Sequence, residues 1–336
     1  MTDLKSSKPQ DKNLDPDGTN LTLEKSKKSE PFQFGCRLLK NEDEVFRYNA
    51  WDHVETDSVY KQYAELQYSK QREEPVSDFD KIRFNSDPAK WWNNFYKNNM
   101  GNFFKDRKWL QQEFPILSSA TQKDAGPITI LEIGAGAGNT AFPILAINQN
   151  PELKIHACDF SKKAVEVMRE NEAYGCNNMQ ADVWDITSES LPPGLDNQSV
   201  NIAILIFTFS ALSPSQWKQA VNNVYKILKP GGVVLFRDYG RGDLAQVRFK
   251  KGRYLEENFY VRGDGTRVYF FEKEELAQIW TKDYSSSNMT GNDLVKVSNN
   301  FDIIDIGIDR RLLINRAKQL KMYRCWIQAS FRKPII

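Results

Sequence analysis

Residues 128–140 read Ile-Thr-Ile-Leu-Glu-Ile-Gly-Ala-Gly-Ala-Gly-Asn-Thr. The apolar run at 128–133 predicts a short strand, and alternate glycines (Gly134, Gly136 and Gly138) predict a tight turn into a helix over about 139–147. Such a turn lets a ligand approach bare main-chain N–H groups beside the positive end of the helix. Because this glycine spacing alone is a weak signal, a βα turn without a ligand stays a second interpretation.

The residues around the turn distinguish between two kinds of cofactor. Dinucleotide-binding turns favour the spacing GxGxxG, whereas this turn has GxGxG with Glu132 two residues before it. The next strand, predicted at 154–158, leads to Asp159, and a third at 179–181 leads to Asp182 and Val183. Both carboxylates are expected at one edge of a parallel sheet, one for a ribose diol and one for an adenine amine. This pattern favours S-adenosylmethionine (SAM) over a nicotinamide dinucleotide.

Strands and helices continue to alternate towards the end of the chain. Apolar and periodic runs predict a helix at about 161–172, a strand at 200–207, a helix at about 214–228 and a strand at 232–237. Two late strands, 301–308 and 322–331, are joined by a polar, basic connection and are expected to pair antiparallel at the sheet edge, partly by analogy. The predicted fold is α/β, a Rossmann-like and mostly parallel sheet of seven strands with helices on both faces.

Composition excludes several classes of function. The chain has 336 residues, of which 40% are hydrophobic, and its formal net charge is +2, so any nucleic-acid surface must be local. Four scattered cysteines and two histidines argue against a zinc site or a disulfide framework, and no metal is expected. The longest apolar run, 202–207, is far too short to span a membrane.

Three regions are expected along the chain. Residues 1–31 lack aromatic residues and predict a disordered tail, whose acidic residues argue against a transit peptide and favour a cytoplasmic location, with the nucleus also possible. Residues 32–120 predict a helical extension that caps the cofactor and binds RNA, with a mostly polar helix at about 56–73. Residues 121–336 predict the catalytic domain. Trp92 and Tyr96, four residues apart, share one helical face.

Several clusters combine basic and aromatic residues, a combination typical of nucleic-acid surfaces. The alternative is packing of a helical layer on the sheet, or simply solvated faces. A turn at 262–266 between two apolar runs predicts a hairpin. The candidate RNA-binding residues are Lys105, Arg107, Arg237, Arg241, Lys250, Lys251, Arg262, Arg267, Arg310 and Arg311.

These residues resemble the tRNA(cytosine-32) N3-methyltransferases, SAM-dependent enzymes with the class I methyltransferase fold. The resemblance runs from about residue 32 to 334. It depends on Asn-Ala-Trp-Asp (49–52), Phe-Phe-Lys-Asp-Arg (103–107), Leu-Glu-Ile-Gly-Ala-Gly-Ala-Gly-Asn (131–139), Cys-Asp-Phe-Ser (158–161), Leu-Lys-Pro-Gly-Gly (228–232), Arg-Asp-Tyr-Gly (237–240) and Asn-Phe-Tyr-Val-Arg-Gly-Asp-Gly-Thr-Arg (258–267). The first of these motifs indicates the branch that acts on threonine tRNA.

The resemblance implies a SAM pocket, a tRNA anticodon stem-loop as substrate and, in some cases, a helper protein such as an aminoacyl-tRNA synthetase. The implied pocket residues are Gly134, Asp159, Asp182, Val183 and Ile206, with Trp92 and Tyr96 from the extension. Two departures stand out. Ala135 replaces a frequent cysteine, and a polar stretch around 284–300 is longer than the corresponding loop.

Methyl transfer to cytosine N3 needs little from side chains, because this nitrogen has a free lone pair at neutral pH and the SAM sulfonium is already cationic. Placement in a water-poor pocket is the main requirement. The base must leave its stack, since N3 lies on the Watson–Crick edge. Asp238, just after the fifth strand, is the candidate for stabilising the positive charge of the product. The alternative is that Asp238 only orients Arg237 or Arg241.

Other classes of protein remain open. An exocyclic-amine methyltransferase would carry Asp/Asn-Pro-Pro-aromatic after the fourth strand, where this chain has Ile-Phe-Thr-Phe-Ser (206–210). A methyltransferase that acts on protein or on another RNA shares the cofactor turn, although a protein methyltransferase has no need of the basic clusters. A non-catalytic RNA-binding module would be expected to lose the acidic strand ends, yet Asp159 and Asp182 are present.

Overall fold

The structure is a computed structural model that describes residues 37–175, 178–282 and 300–335. Within these residues the strands are β1 (Ala50–Asp52), β2 (Ile128–Ile133), β3 (Leu153–Asp159), β4 (Met179–Val183), β5 (Val200–Ile206), β6 (Leu228–Tyr239), β7 (Tyr254–Glu256), β8 (Phe259–Val261), β9 (Arg267–Tyr269), β10 (Asp302–Asn315) and β11 (Leu320–Arg332). The helices are α1 (Ser58–Glu73), α2 (Asp78–Ser86), α3 (Pro88–Asn99), α4 (Leu110–Glu113), α5 (Pro115–Ala120), α6 (Ala141–Ala146), α7 (Lys162–Arg169), α8 (Trp217–Ile227), α9 (Leu244–Val247) and α10 (Lys273–Thr281).

Eight strands form one mixed sheet in the order β1-β10-β11-β6-β5-β2-β3-β4. The strands from β4 to β6 in this order are parallel, β11 lies antiparallel between β6 and β10, and β1 is antiparallel to β10. The predicted Rossmann-like sheet of seven strands is confirmed, including its antiparallel final pair. β1 adds an eighth strand that was not predicted, because three residues in an aromatic segment carry no strand pattern of their own.

Alternate side chains of β5 pack into two separate apolar clusters. Ala203 and Leu205 lie in a cluster with residues of α8 and α10, whereas Ile202, Ile204 and Ile206 lie in a cluster with residues of α5, α6 and α7. A parallel strand buried on both faces is apolar throughout, which is what the sequence of β5 has. The prediction of helices on both faces of the sheet is therefore confirmed.

The connection predicted between the last two strands is largely strand, which corrects the sequence interpretation. β10 and β11 remain paired as far as Asn315 and Leu320, so the turn between them covers 316–319. Leu312 pairs with Tyr323 on a buried face, and Arg311 pairs with Arg324 on the other face. Buried apolar residues alternate along this stretch with less buried residues, several of them basic, and the basic residues led the sequence interpretation to take a half-buried strand for a polar connection.

The N-terminal extension is helical, as predicted, and contributes β1 to the main sheet. The carboxylate of Asp57 caps α1 by accepting the Tyr60 N–H, close to the predicted start of this helix. Asp87 caps α3, which has Pro88 at its first position. The predicted tail at 1–31 lies outside the described residues, and so does most of the polar insertion near 284–300.

A second, three-stranded sheet has the order β7-β8-β9. β8 and β9 pair antiparallel from Phe259–Tyr269 to Val261–Arg267, and the Arg262 N–H donates to the carbonyl of Thr266. The hairpin predicted at 262–266 is therefore confirmed. Within the described residues, no helix has the length and apolarity to cross a bilayer, and no group of three or more His, Cys, Asp or Glu side chains is arranged to hold a metal ion.

Candidate active site

A cavity of about 470 Å³ lies at the carboxyl ends of β2, β3 and β5. Ligands of open α/β sheets bind at this edge, and the volume lies within the range of small-molecule pockets. The walls come from the glycine turn, the exits of β3, β4 and β5, the α2–α3 region and residues near Arg107. The cavity brings together six of the eight predicted cofactor residues, which are Trp92, Tyr96, Gly134, Gly136, Asp159 and Ile206.

The glycine turn adopts a backbone conformation that other residues rarely adopt. Gly134, Gly136 and Gly138 have φ angles of 70°, 59° and 83°. A methyl group at Gly134 would collide with the side chain of Thr208, and one at Gly136 would collide with the hydroxyl of Tyr96. Both positions therefore require glycine for conformation and for space.

The main-chain N–H groups of the turn are not bare, which corrects the sequence expectation. The Gly134 N–H donates to the carbonyl of Cys158 at 2.8 Å, and the Gly136 N–H donates to Oδ2 of Asp159 at 2.8 Å. A ligand that enters the cavity thus meets the shape of the turn rather than a row of free donors.

Asp159 lies at the end of β3, where it is buried and held by main-chain donors. Its Oδ2 accepts the Gly136 N–H, and its Oδ1 accepts the Ser161 N–H at 2.8 Å. Burial raises the pKa of Asp159 to about 6, and the two N–H donors oppose this shift. The group is ionised at neutral pH, and each carboxylate oxygen keeps a lone pair for a ligand hydroxyl.

The buried Glu132 pairs with the partly buried Arg107 beside the turn. Oε1 of Glu132 lies 3.6 Å from Nη1 of Arg107, and Oε2 accepts the Ala141 N–H at the start of α6. Burial raises the pKa of Glu132 to about 7, against the lowering effect of Arg107. Arg107 also donates to the hydroxyl of Thr140 at 2.9 Å. The predicted RNA-binding Arg107 is therefore part of the cavity wall.

The α3 helix forms one wall of the cavity through Trp92 and Tyr96, whose ring centroids are 6.3 Å apart. Between them, Oδ1 of Asn93 accepts the hydroxyl of Ser161 at 2.8 Å and the N–H of Lys163 at 3.2 Å. These bonds attach α3 to the first turn of α7. The extension thus contributes a wall to the cavity, and its capping role stays a prediction.

Asp182 and Val183, the other two predicted cofactor residues, do not line the cavity. The Asp182 carboxylate lies 3.1 Å from Nη2 of Arg169 and accepts Nε2 of Gln180 at 2.6 Å, and Val183 is exposed. The residues that follow them, 184–186, line the cavity instead. A cofactor contact of Asp182 or Val183 therefore stays a prediction.

Phe207, which was not predicted as a site residue, lines the cavity with a φ angle of 58°. A bulky residue with positive φ is strained, and such strain clusters at functional sites. The Phe207 ring lies 5.0 Å from the ring of Tyr239, and the guanidinium of Arg262 lies 5.5 Å from the Tyr239 ring. Phe207 lines the cavity and Tyr239 contacts its ring without lining the cavity; we call the two rings together the aromatic mouth. The sequence signal was the unusual Phe-Thr-Phe-Ser after β5.

Asp238, the catalytic candidate, is fully buried and is not among the cavity-lining residues. Its Oδ2 accepts the Ser210 N–H at 2.8 Å, and its Oδ1 accepts the N–H of Tyr239 at 2.9 Å. Burial raises the pKa of Asp238 to about 6. The carboxylate thus joins the loop after β5 to the end of β6.

The predicted RNA-binding residues divide by exposure. Lys105, Lys250 and Lys251 are exposed, although Lys251 lies 3.3 Å from Glu74. The partly buried ones have acidic or aromatic neighbours: Arg241 lies between Glu65 and Glu272, Arg262 over Tyr239, Arg310 beside Glu55, and Arg311 beside Asp52 and Asp309.

Arg237 is not retained as an RNA contact, because it is 4% exposed. Its guanidinium donates to Asp309 at 2.7 Å and to Oε1 of Gln328 at 2.9 Å, and it lies 5.3 Å and 4.9 Å from the rings of Trp109 and Trp326. Burial lowers its pKa and Asp309 opposes that shift. This arginine stabilises the junction between β6 and the antiparallel strands.

Arg267 is not retained as an RNA contact either, since it is also 4% exposed and lies in the wall of the cavity. Arg267 follows the predicted hairpin turn in the sequence, and for that reason it was predicted to lie on the surface. Its partner residues come from distant parts of the chain, so no local pattern revealed its burial.

The residues of the cavity fit SAM. Asp159 is placed for the hydroxyls of a ribose, as in other sheets of this class. Gly134 and Gly136 let Thr208 and Tyr96 pack directly against the turn, and the aromatic rings of α3 supply an apolar wall of the cavity. An acid, a turn with no side chain larger than a methyl group and an aromatic wall suit the polar ribose and the flat base of an adenosyl group.

The sequence of the chain is similar to that of known methyltransferases. The family model described as "Methyltransferase domain" matches residues 131–234. The chain is 54% identical over 306 residues to a tRNA(Thr) (cytosine(32)-N(3))-methyltransferase of Saccharomyces cerevisiae, which covers 90% of this chain and 46% of that protein. It is 48% identical to a tRNA N(3)-methylcytidine methyltransferase of Schizosaccharomyces pombe, over 89% of this chain and 92% of that one. A relative of the same description in Drosophila melanogaster is 40% identical, over 92% and 90%. The chain thus spans about half the length of the Saccharomyces relative.

Proposed function

Because the chain belongs to the family of tRNA N3-methylcytidine methyltransferases, we propose that it transfers the methyl group of SAM to N3 of a cytidine in tRNA. The observation that carries the proposal is a cavity whose wall includes both the glycine turn and Phe207, with the ring of Tyr239 packed beside Phe207. The glycine turn and Asp159 provide a cofactor side, and the aromatic mouth of Phe207 and Tyr239 adjoins it at the ends of β5 and β6.

We further propose cytosine 32 of threonine tRNA as the acceptor. The support is the name of the Saccharomyces relative, together with the Asn-Ala-Trp-Asp motif at 49–52, whose last three residues form the edge strand β1. The matched region is about half of that relative.

In this proposal, the residues around the cofactor accelerate the reaction by holding SAM in the correct position relative to the acceptor base. SAM supplies an electrophilic methyl group on a cationic sulfonium, and cytosine N3 supplies its own lone pair. Asp159 would accept the ribose hydroxyls, the glycine turn would pack against the cofactor, and Trp92 and Tyr96 would exclude water from it. Holding nitrogen, carbon and sulfur in line is the main source of rate enhancement in such a reaction.

The acceptor base enters at the aromatic mouth. Its Watson–Crick edge is inaccessible in a stacked loop, so the base must be extruded from its neighbours. The rings of Phe207 and Tyr239, 5.0 Å apart, supply apolar surface against which an extruded base packs. The strained backbone of Phe207 fixes the first ring at the end of β5.

Asp238 acts, in this proposal, through the main chain. Its two oxygens hold the N–H groups of Ser210 and Tyr239, so it sets the distance between the two sides of the mouth. This differs from the direct charge stabilisation expected from the sequence, which requires contact with the base.

The experiment combines the purified chain, SAM and tRNA from cells that lack N3-methylcytidine. Nucleoside mass spectrometry should detect N3-methylcytidine in threonine tRNA, and a transcript with uridine at position 32 should give none. Methylated protein with unmodified tRNA would contradict the proposal. If tRNA is methylated only when a cell extract is added, a helper protein such as an aminoacyl-tRNA synthetase is required.

Fractionation of cells tests the cytoplasmic location expected from the sequence.

A further inference from the structure

Arg267 has an unusual environment for an arginine. It begins β9, it is 4% exposed, and within the described part of the chain no carboxylate lies at ion-pairing distance from its guanidinium. Burial lowers its pKa to about 10, and no acidic group opposes this shift. A buried cation without a counter-ion is costly, so such a residue usually has a specific task.

The guanidinium joins three segments that are far apart in the sequence. Nη1 donates to Oδ1 of Asn85 on α2 at 2.9 Å. Nη2 donates to the carbonyl of Ala211 at 3.1 Å and to Oε1 of Gln216 at 3.2 Å, both in the loop after β5. Asn85, Ala211, Gln216 and Arg267 all line the cavity. The guanidinium therefore connects the N-terminal extension to the sheet at the cavity wall.

A second contact joins the same two parts. Gly265 in the hairpin has a φ angle of 85°, and a methyl group there would collide with the indole of Trp91 on α3. Trp91 directly precedes Trp92, whose side chain lines the cavity. The hairpin thus contacts α3 at Trp91 and α2 at Asn85, on either side of the residues 86–89 that line the cavity between them.

We propose that Arg267 is a positioning residue for the cofactor: it fixes the α2–α3 segment over the cavity, so that Trp92 and Tyr96 close on SAM. This inference rests on the proposed function only in taking the cavity as the SAM site, and it does not depend on the acceptor. A guanidinium suits this role because its planar fork satisfies three acceptors at once, which a lysine ammonium does with poorer geometry.

The first test measures SAM affinity by calorimetry without tRNA, for the wild type, Arg267→Met and Arg267→Lys. Arg267→Met keeps an apolar stem but removes all donors, and it should raise the dissociation constant of SAM about tenfold. Arg267→Lys should restore part of the loss. With tRNA present, KM for SAM should rise while kcat at saturating SAM stays within about twofold, a split that a general loss of folding does not produce.

Arg72→Met is the matched control. Arg72 also links the extension to the three-stranded sheet, through two hydrogen bonds of 2.9 Å to Glu257, but this pair is exposed and lies away from the cavity. Its loss should leave SAM affinity unchanged. An equal effect of both substitutions would show that any attachment of the extension matters, and would overturn the specific role of Arg267.

Asn85→Ala keeps the test decisive if Arg267→Met fails to fold. It removes one acceptor from a half-buried helical position and should raise the dissociation constant several-fold, and combined with Arg267→Lys it should cost less than the two single effects together. Wild-type affinity in both Asn85→Ala and Arg267→Lys overturns the inference. Absence of SAM binding in the wild type itself would instead contradict the proposed function.

Discussion

Gly136 and Tyr96 occupy adjoining space, and each limits what the other position accepts. The hydroxyl of Tyr96 lies where a Cβ of residue 136 would stand, while the N–H of Gly136 is held by Asp159. Three residues from different elements therefore meet at one point of the cavity. The shape of the site therefore depends on the absence of a side chain at Gly136 as much as on the functional groups around it.

Gly136→Ala should weaken SAM binding at least about tenfold, since the new methyl group displaces Tyr96 and the positive φ adds about 1–2 kcal/mol of strain. Calorimetric titration with SAM measures this. Gly126→Ala is the control for strain, because Gly126 has a φ of 73° but nothing within 4 Å of its added methyl group. Similar losses of affinity in both variants would contradict the steric explanation.

The buried Glu132 predicts a pH dependence of stability. Burial raises its pKa from 4.5 to about 7, so between these values the folded protein binds more protons than the unfolded chain. The contribution of Glu132 to the free energy of unfolding therefore falls as pH rises through this window. Glu132→Gln should flatten that part of the profile, measured by urea unfolding at a series of pH values. An unchanged slope would contradict the assignment.

At the scale of elements, β10 places neighbouring arginines on opposite faces of the sheet. Arg311 pairs with Arg324, which lies on the same face of β11 as Trp326. Trp326 in turn pairs with Tyr239 of β6, so Arg311 shares a face of the sheet with Tyr239 of the aromatic mouth. Arg310 points to the other face, where it lies 3.1 Å from Glu55. The sequence predicted both as RNA contacts, and the strand separates them.

Arg311→Ala should therefore weaken tRNA binding by about three- to tenfold and reduce its salt dependence, whereas Arg310→Ala should have less effect. Binding measured at several salt concentrations separates the two variants. If Arg310→Ala gives the larger loss, the face that carries the aromatic mouth is not the RNA face.

The sequence correctly predicted those elements whose residue pattern lies within the element itself. The apolar β5, the glycine turn and the hairpin at 262–266 each carry their own signature, and each lies where it was expected. Arg237 and Arg267 were misjudged because their burial depends on Asp309 and Asn85, which are far away in sequence. Residues 184–186 line the cavity rather than Asp182 and Val183, because the chain continues past the end of β4 before it meets the cavity.

At the scale of the whole molecule, the cavity belongs to both the extension and the sheet. Its described lining starts at Asn85 and includes Phe104 and Arg107, all of which precede the predicted catalytic domain at 121–336. The predicted domain boundary at residue 120 thus separates lining residues of one cavity into two predicted regions. A separate methyltransferase domain would lack one side of its own pocket.

Two shortened chains test this organisation. Residues 32–336 should bind SAM within about twofold of the full chain, because every described residue of the cavity is retained. Residues 121–336 should lose measurable binding, because Trp92, Tyr96 and Arg107 are absent. Calorimetry provides the affinity, and far-ultraviolet circular dichroism confirms that each chain is folded. Tight binding by the shorter chain would contradict a shared cavity.

The edge strand β1 has a consequence for handling the protein. It is three residues long, yet it covers Arg311–Leu313 on the outer side of β10, a strand of 14 residues. An uncovered strand margin is a template for self-association. A preparation that begins after Asp52 should therefore form dimers or precipitate as its concentration rises, even where its cofactor chemistry survives, and added arginine in the buffer should delay this loss.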